Sequence, residues 1–358
     1  MALDTKPWIT TPRLELRAPR DSDLADYVRL HTDPRTYAHA PQTMPDAARC
    51  RERLDVDLAD WPERGFGYAA VCDRSTGDVI GWAGLRQWDP DAATLNLYYR
   101  LAHDRLGRGL GRELARALVV WAAEHQPDMT VTARVDRTNP ASLATAERAG
   151  LVYVGTQVHP EDPPGSEPMN YLAAPQVRVE TLEGHPGLED ELVDLWVRVN
   201  DAGGAVGFLP GAARQRVRAA LDQHLDLVRA GQALLVSLRA PDATLLGFGF
   251  WEPGLTPGFD HLATLKRLMV DASGQGRNWG AMLLAGMVGV ARRELPHARL
   301  LLLDYRSGLG LGVFYARAGW VEVGRFPGAI RVGEDSFRDD VFMMRRVDGS
   351  PLVADGRT

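Results

Sequence analysis

Hydrophobic and polar positions divide the chain into short strands and amphipathic helices, and the same series of elements is read twice. Leu14 and Leu16 alternate with Glu15 and Arg17, which predicts a strand over Leu14–Arg17. Asp21 is placed to cap a helix running through His31, and a second helix is expected between Pro45 and Trp61. Strands are predicted at Tyr68–Cys72, Val79–Leu85 and Leu95–Leu101, the middle one following the turn formers Thr76-Gly77-Asp78. A glycine-rich loop, a helix over Arg112–His125, a strand over Val131–Val135 and a helix over Ser142–Ala149 come next, and Val152 and Val154 open the closing strands. The second half gives a strand at Val177–Thr181, helices at Leu188–Asn200 and Ala212–Ala230, and strands at Leu234–Leu238, Leu245–Phe250 and Ala263–Val270. After a second glycine-containing loop come helix Ala281–Leu295, strand Leu300–Asp304, helix Gly312–Ala318 and strand Asp340–Arg345. Prolines 160, 163, 164, 168 and 175 mark a loop and a joint, with Met169–Ala173 between them closing the first sheet.

The duplication extends to residue identity. Arg148-Ala149-Gly150-Leu151-Val152-Tyr153-Val154-Gly155 returns as Arg317-Ala318-Gly319-Trp320-Val321-Glu322-Val323-Gly324, an offset of 169 positions. Gly107-Arg108-Gly109-Leu110-Gly111 meets Gly276-Arg277-Asn278-Trp279-Gly280 at the same offset. Two separate segments sharing one ungapped spacing imply two copies of one unit, 1–175 and 176–358. The length of 358 residues also suits two domains of roughly 150 each.

Composition narrows the class. With 45% apolar and 25% charged residues the chain reads as soluble and globular, and each half can bury its own core. A net charge of −6 disfavours sequence-independent nucleic-acid binding, which needs concentrated positive charge. Cys50 and Cys72 are the only cysteines, so no disulfide framework is expected and a reducing cytoplasm is the simple location. Met1–Pro7 has no apolar core of signal-peptide length, and the longest aliphatic run, Leu300–Leu303, is far too short for a bilayer. The nine histidines are scattered without HExxH or Cys/His ligand spacing, so no metal site is expected.

The segment Tyr99–Leu114 joins a strand, a Gly/Arg turn and a helix start. Gly107, Gly109 and Gly111 let backbone N–H groups turn toward an anion, the helix N-terminus adds its dipole, and Arg105, Arg108 and Arg112 bring positive charge. Such parts suit a pyrophosphate, although an ordinary glycine-rich turn capping a helix uses the same residues. A dinucleotide fingerprint would need a glycine at Arg112 and an acidic residue after the second strand; a Walker loop would need Gly-Lys-Ser/Thr, which is absent.

Leu106-Gly107-Arg108-Gly109-Leu110-Gly111-Arg112-Glu113-Leu114 resembles the acetyl-CoA pyrophosphate loop of the GNAT N-acetyltransferases, with Leu106 standing where that family prefers Gln or Arg. Asn139-Pro140-x-Ser142 and Arg148-Ala149-Gly150-Leu151 are similar to the family's later motif, and Pro12–Arg17 to the opening strand of the branch that acetylates ribosomal-protein N-termini. The second half resembles the tabtoxin-resistance-type branch through Lys266-Arg267-Leu268-Met269-Val270, Gln275-Gly276-Arg277, Leu303-Asp304-Tyr305-Arg306, Phe314-Tyr315, Gly324-x-x-Pro327-Gly328 and Val341-Phe342. There Asn278 replaces a glycine and Trp279 adds bulk, yet Asn adopts left-handed backbone more readily than other side chains.

The resemblance implies two α/β (α+β) GNAT folds in tandem, each a mixed, mostly antiparallel sheet flanked by helices. It implies acetyl-CoA as acyl donor, held by Arg105 to Arg112 with Asn139 and Ser142 in the first half and by Gln275 to Gly280 in the second. Backbone amides near Leu101, and near Met269 and Val270, would polarise the thioester carbonyl on a splayed fourth strand. Tyr315 occupies the position of the family's tyrosine acid, whereas its repeat partner is Ala146. Asn139 is equally well placed to cap a helix before Pro140, and Tyr315 to be a core aromatic. No general base is evident: Asn96 stands where the first branch often carries Glu, and Leu265 aligns with it. Asp136, His103, Asp260, His261 and Asp304 read as surface or structural groups; Trp82, Trp88, Trp251 and Tyr98 could line an acceptor pocket, with core packing the default. The expected reaction is acetyl transfer to a primary amine of a small metabolite or antibiotic-like molecule. The alternatives are acetylation of a protein N-terminus and acetyl-CoA binding without turnover.

Overall fold

The computed structural model describes residues 7–158 and 165–352, which fall into two compact units: 1–122 with 128–175, and 123–127 with 176–358. Pro160, Pro163 and Pro164 of the proline-marked loop lie outside the described residues.

The first unit runs β1 (Ile9–Thr10), β2 (Leu14–Arg17), α1 (Leu24–His31), α2 (Ala47–Arg64), β3 (Tyr68–Asp73), β4 (Val79–Arg86), β5 (Thr94–Leu101), α3 (Leu110–His125), β6 (Thr130–Val135), α4 (Pro140–Ala149), β7 (Val152–Gln157) and β8 (Met169–Ala173). Its sheet has the order β1-β2-β3-β4-β5-β6-β8-β7, and β5 with β6 is its parallel pair. Tyr27, Leu30, Cys50 and Leu54 from α1 and α2 pack on Tyr68, Ala70 and Trp82, fixing one face of the sheet.

The second unit runs β9 (Gln176–Val179), α5 (Leu188–Asp201), α6 (Arg214–Arg229), β10 (Leu234–Arg239), β11 (Leu245–Pro253), β12 (Leu262–Val270), α7 (Trp279–Glu294), β13 (Leu300–Arg306), α8 (Leu311–Arg317), β14 (Val321–Arg331) and β15 (Phe337–Arg346). The order β9-β10-β11-β12-β13-β15-β14, with β12 and β13 parallel, reproduces the first sheet strand for strand from β2 onward. Leu192, Trp196, Leu221 and Leu225 of α5 and α6 cover Phe248, Phe250 and Met269. On the other face lies α7, buried from Met282 through Ala291, and the Trp251 indole donates to Met287 O at 2.8 Å. Burial on every side explains why α7 has no clean polar stripe in sequence.

Several features differ from the sequence expectation: Asp21 does not cap α1 but opens a 3-10 turn, and its carboxylate accepts from Arg51. Helices α3 and α7 begin two residues early, at Leu110 and Trp279, because the preceding left-handed residues launch the helix directly. The two-residue β1 extends the first sheet through Ile9↔Leu16, too short to leave a period. Strand β14 continues through Pro327 for 11 residues, and its pairing with β15 breaks between Phe326 and Ile330. A proline has no N–H for the ladder, so the strand bulges around it rather than ending.

Candidate active site

Strands β5 and β6 pair only over Thr94–Asn96, opposite Thr130–Thr132, and then part. Residues Leu97–Leu101 keep their partners on β4 alone, so alternate backbone groups on their other edge face a gap. The chain then makes a short 3-10 turn at His103–Arg105, and Gly107 and Gly109 each take φ of 74°. The α3 ladder begins with Glu113 N–H on Gly109 O at 3.1 Å, leaving the Leu110, Gly111 and Arg112 amides without an intrahelical acceptor. These donors and the helix dipole converge where an anion would be stabilised. Leu106, Arg108 and Arg112 are exposed around the turn, but Arg105 is engaged with Asp73 at 3.1 Å. A brace invisible to local pattern holds the loop. Glu113 accepts from Thr11 Oγ1 at 2.6 Å and from Arg13 Nε at 2.7 Å, and Arg13 Nη1 donates to Arg108 O at 2.8 Å. Arg13 and Glu113 lie a hundred positions apart, so no sequence period links them.

The second unit repeats this arrangement. Strands β12 and β13 pair over Leu262–Leu265 and then diverge, leaving Met269 and Val270 at the end of the freed stretch. Gln275 precedes Gly276, with φ of 82°, and Arg277 separates it from Asn278, with φ of 71°. Asn278 thus holds the same left-handed step as Gly109, and Met282 N–H begins the α7 ladder on Asn278 O at 3.0 Å. Trp279 does not obstruct the turn: it is buried against Gly274, with the Arg277 guanidinium 5.7 Å from its ring. Gly280 leaves room for Val270 and Phe314, whose atoms lie 3.4 Å and 3.8 Å from where a Cβ would stand.

In the first unit Asn139 Oδ1 accepts from Ser142 N–H at 3.0 Å, so Asn139 caps α4. Ser142 Oγ lies 2.9 Å from the Tyr99 hydroxyl, tying α4 to β5 beside the gap. Ala146 is buried in α4. In the second unit Tyr315 sits on α8 with 7% exposure, its ring 5.5 Å from that of Tyr305 and 6.4 Å from Trp320. Burial, with smaller contributions from Asp304 and Tyr305, raises its pKa well above that of an ordinary tyrosine and keeps the phenol protonated.

Residues 13–152 match the family model described as "Acetyltransferase (GNAT) domain". The first unit is a GNAT acetyltransferase domain. The match marks the protein as an enzyme of the N-acetyltransferase class, and the second unit repeats the strand order of the first. The chain is 26% identical over 158 residues to the Bacillus subtilis protein YkkB, across 43% of this chain and 90% of that protein. A solved acetyltransferase from Agrobacterium tumefaciens is 28% identical over 48% of this chain and 95% of its own, with a TM-score of 0.38. The ribosomal L7/L12 alpha-N-protein acetyltransferase RimL, solved with coenzyme A, is 20% identical over 47% of this chain and 97% of its own, with a TM-score of 0.39.

In each unit the sheet face under the first two helices carries a polar cluster beside the gap. In the first, Asn96 Nδ2 donates to the Tyr68 hydroxyl at 3.0 Å, and His31 lies 3.0 Å from the Tyr98 hydroxyl and 2.8 Å from Tyr27 O. Burial lowers the His31 pKa from 6.5 to about 3, so the ring is neutral. Arg100 reaches the Tyr98 hydroxyl at 3.1 Å and stacks 3.6 Å over Tyr37. In the second, His224 Nδ1 is 2.8 Å from Glu252, Arg267 Nε is 3.3 Å from His224 Nε2, and Lys266 pairs with Asp304 at 2.6 Å. His31, His224 and Glu252 carry no motif in sequence, and only packing brings them to the fourth strand. Trp82 and Trp251 are core residues at 0% exposure, Trp88 is exposed, and Tyr98 alone of the four aromatic candidates edges the gap. Asp136 closes a turn on Thr138, while His103 is exposed at the start of the 3-10 turn after β5 and Asp260 is exposed on a loop. His261 receives the backbone amides of Arg299 and Leu300 on its carbonyl, at 2.7 Å and 3.1 Å. Among the described residues no cluster of three His, Cys, Asp or Glu could hold a metal, and no helix is long and apolar enough to cross a membrane.

Proposed function

We propose that the chain transfers an acetyl group from acetyl-CoA to the primary amine of a small molecule, with domains at 1–175 and 176–358 that each hold the donor. The observation that carries this reading is the coincidence, in both units, of a parallel strand pair that parts and a left-handed turn opening the next helix. Leu106 to Arg112, and Gln275 to Gly280, offer backbone donors to the pyrophosphate, with Arg108, Arg112 and Arg277 adding charge. Arg105 acts through its ion pair with Asp73 by fixing the turn. Asn139 and Ser142 shape the α4 wall, where they already bond each other and Tyr99. The pantetheine arm enters each gap, and amides near Leu101, or near Met269 and Val270, polarise the thioester carbonyl.

Transfer itself belongs to the second domain. The neutral amine forms an N–C bond to the thioester carbon, the C–S bond breaks, the departing sulfur takes the Tyr315 phenolic proton, and the acylated nitrogen releases its extra proton through water, which restores the phenol. Ala146 cannot give that proton, so the first domain binds donor and turns over slowly through water. Release of free thiol from acetyl-CoA, followed over a library of small primary amines, tests the proposal. Amine-dependent release that falls on Tyr315→Phe supports it; release with no amine in the library accelerating it would leave only acetyl-CoA binding.

A further inference from the structure

Strand β12 does not run regularly. Phe248 pairs with Met269 and Phe250 with Lys266, so Gly249 alone opposes both Arg267 and Leu268. Arg267 takes φ of 57°, a left-handed conformation that a residue with a Cβ rarely adopts. The equivalent strand β5 pairs without interruption from Asn96 to Leu101, so the strain is particular to the second unit.

The bulge turns the Arg267 side chain onto the α5/α6 face. Its guanidinium carbon lies 5.4 Å over the Trp196 ring, and Nε donates to His224 Nε2 at 3.3 Å. With Nε2 accepting, His224 carries its proton on Nδ1 and gives it to Glu252 Oε1 at 2.8 Å. Gly207, with φ of 101°, leaves space that Arg267 Nη1 occupies, since a Cβ there would collide with it. Among the described residues no carboxylate pairs with this guanidinium: Glu252 is taken by His224 and Asp304 by Lys266. Burial lowers the Arg267 pKa, whereas the carboxylate-paired Arg17, Arg86 and Arg239 shift the other way. A partly buried planar fork, anchored at Nε with neither terminal nitrogen hydrogen-bonded among the described residues, suits a carboxylate.

We infer that Arg267 is the carboxylate anchor of the second domain's acceptor site, so that its acceptor is a small amino acid rather than a simple amine. This rests on the reading that an amine approaches the gap from the α5/α6 face. The opposite end of a zwitterion also has a complement there. Asp304 continues β13 beyond its last pairing with β12, and the Asp340 side chain follows on the same face. Asp340 Oδ1 is buried and makes no hydrogen bond among the described residues, so an ammonium group would satisfy it.

Calorimetric titration of the full chain with N-acetyl-α-amino acids and their methyl esters tests the anchor without requiring turnover. At least one acid is expected to bind, its ester more than tenfold weaker. Arg267→Gln should remove that difference by weakening the acid alone, and Arg267→Lys should retain part of it. Unchanged acetyl-CoA binding and an unchanged melting temperature in both variants would show that the fold survives. Absence of binding by every acid, equal binding of acid and ester, or an acid affinity insensitive to Arg267→Gln would each overturn the anchor. A library in which no amine releases thiol would defeat acetyl transfer while leaving carboxylate binding standing. Equal kcat/KM for carboxylated and uncarboxylated amines, unaffected by Arg267→Gln, would remove the anchor and leave the transferase.

Discussion

Gly109 and Asn278 hold equivalent steps of the repeat with φ of 74° and 71°, so the turn selects for left-handed backbone rather than for glycine as such. A β-branched side chain tolerates that conformation far less well than Asn. Gly109→Val is therefore expected to weaken acetyl-CoA binding by the first domain at least tenfold, measured by calorimetry, while Gly109→Asn retains most of it. Tyr315→Phe removes only the proton donor, and turnover should fall by about 10²–10⁴ with acetyl-CoA affinity unchanged. Because the Tyr315 pKa is raised, the acid remains loaded as pH increases, and the alkaline limb of the rate profile should follow the acceptor amine instead. His31 titrates in the opposite sense. Its folded pKa is depressed from 6.5 to about 3, so its stabilising contribution is complete above 6.5 and is lost as pH falls through that window. The expected loss approaches about 1.4 kcal/mol per pH unit within the window. Histidine proton resonances should show one imidazole still neutral at pH 5, and its titration near 6.5 would contradict this.

Element ends, rather than element middles, make the site. Strands β5 and β12 are ordinary ladder strands up to Asn96 and Leu265, and the repeat spacing of 169 separates these two last residues of parallel pairing. Beyond them, the bulge at Arg267 inserts one residue and changes which side chains face α5 and α6. Leu265, aligned with Asn96, pairs with Trp251 on the α7 side, and Lys266 opposite Phe250 takes the helical face instead. An ungapped alignment therefore locates the gap and misassigns the side chain beside it. The first loop depends on another distant element, through Arg13 on Glu113 and on Arg108 O. Arg13 is half exposed, so its ion pair contributes little to stability. Arg13→Ala should hardly move the melting temperature yet loosen the loop, with acetyl-CoA affinity falling severalfold by calorimetry.

For the whole molecule, two equivalent folds with two equivalent turns predict two acetyl-CoA molecules per chain. Calorimetric stoichiometry should fall from two to one with Gly109→Val, and likewise with Asn278→Val. A single site in the unaltered chain, lost with only one of these changes, would show that one fold has abandoned the donor. Much of this organisation is legible in the sequence. Repeat spacing, periodicity and left-handed turn formers are local properties of the chain, and from them follow the two mixed sheets, the element order and the position of both loops. Trp279 illustrates the limit: its bulk reads as an obstruction in sequence, yet burial against Gly274 takes it out of the way. The His224–Glu252 pair, the bulged Arg267 and the Arg13 brace were decided by tertiary structure alone. Each depends on groups from separate elements meeting at hydrogen-bonding distance. Sequence spacing encodes which face of an element is buried, but not which neighbour that face will meet.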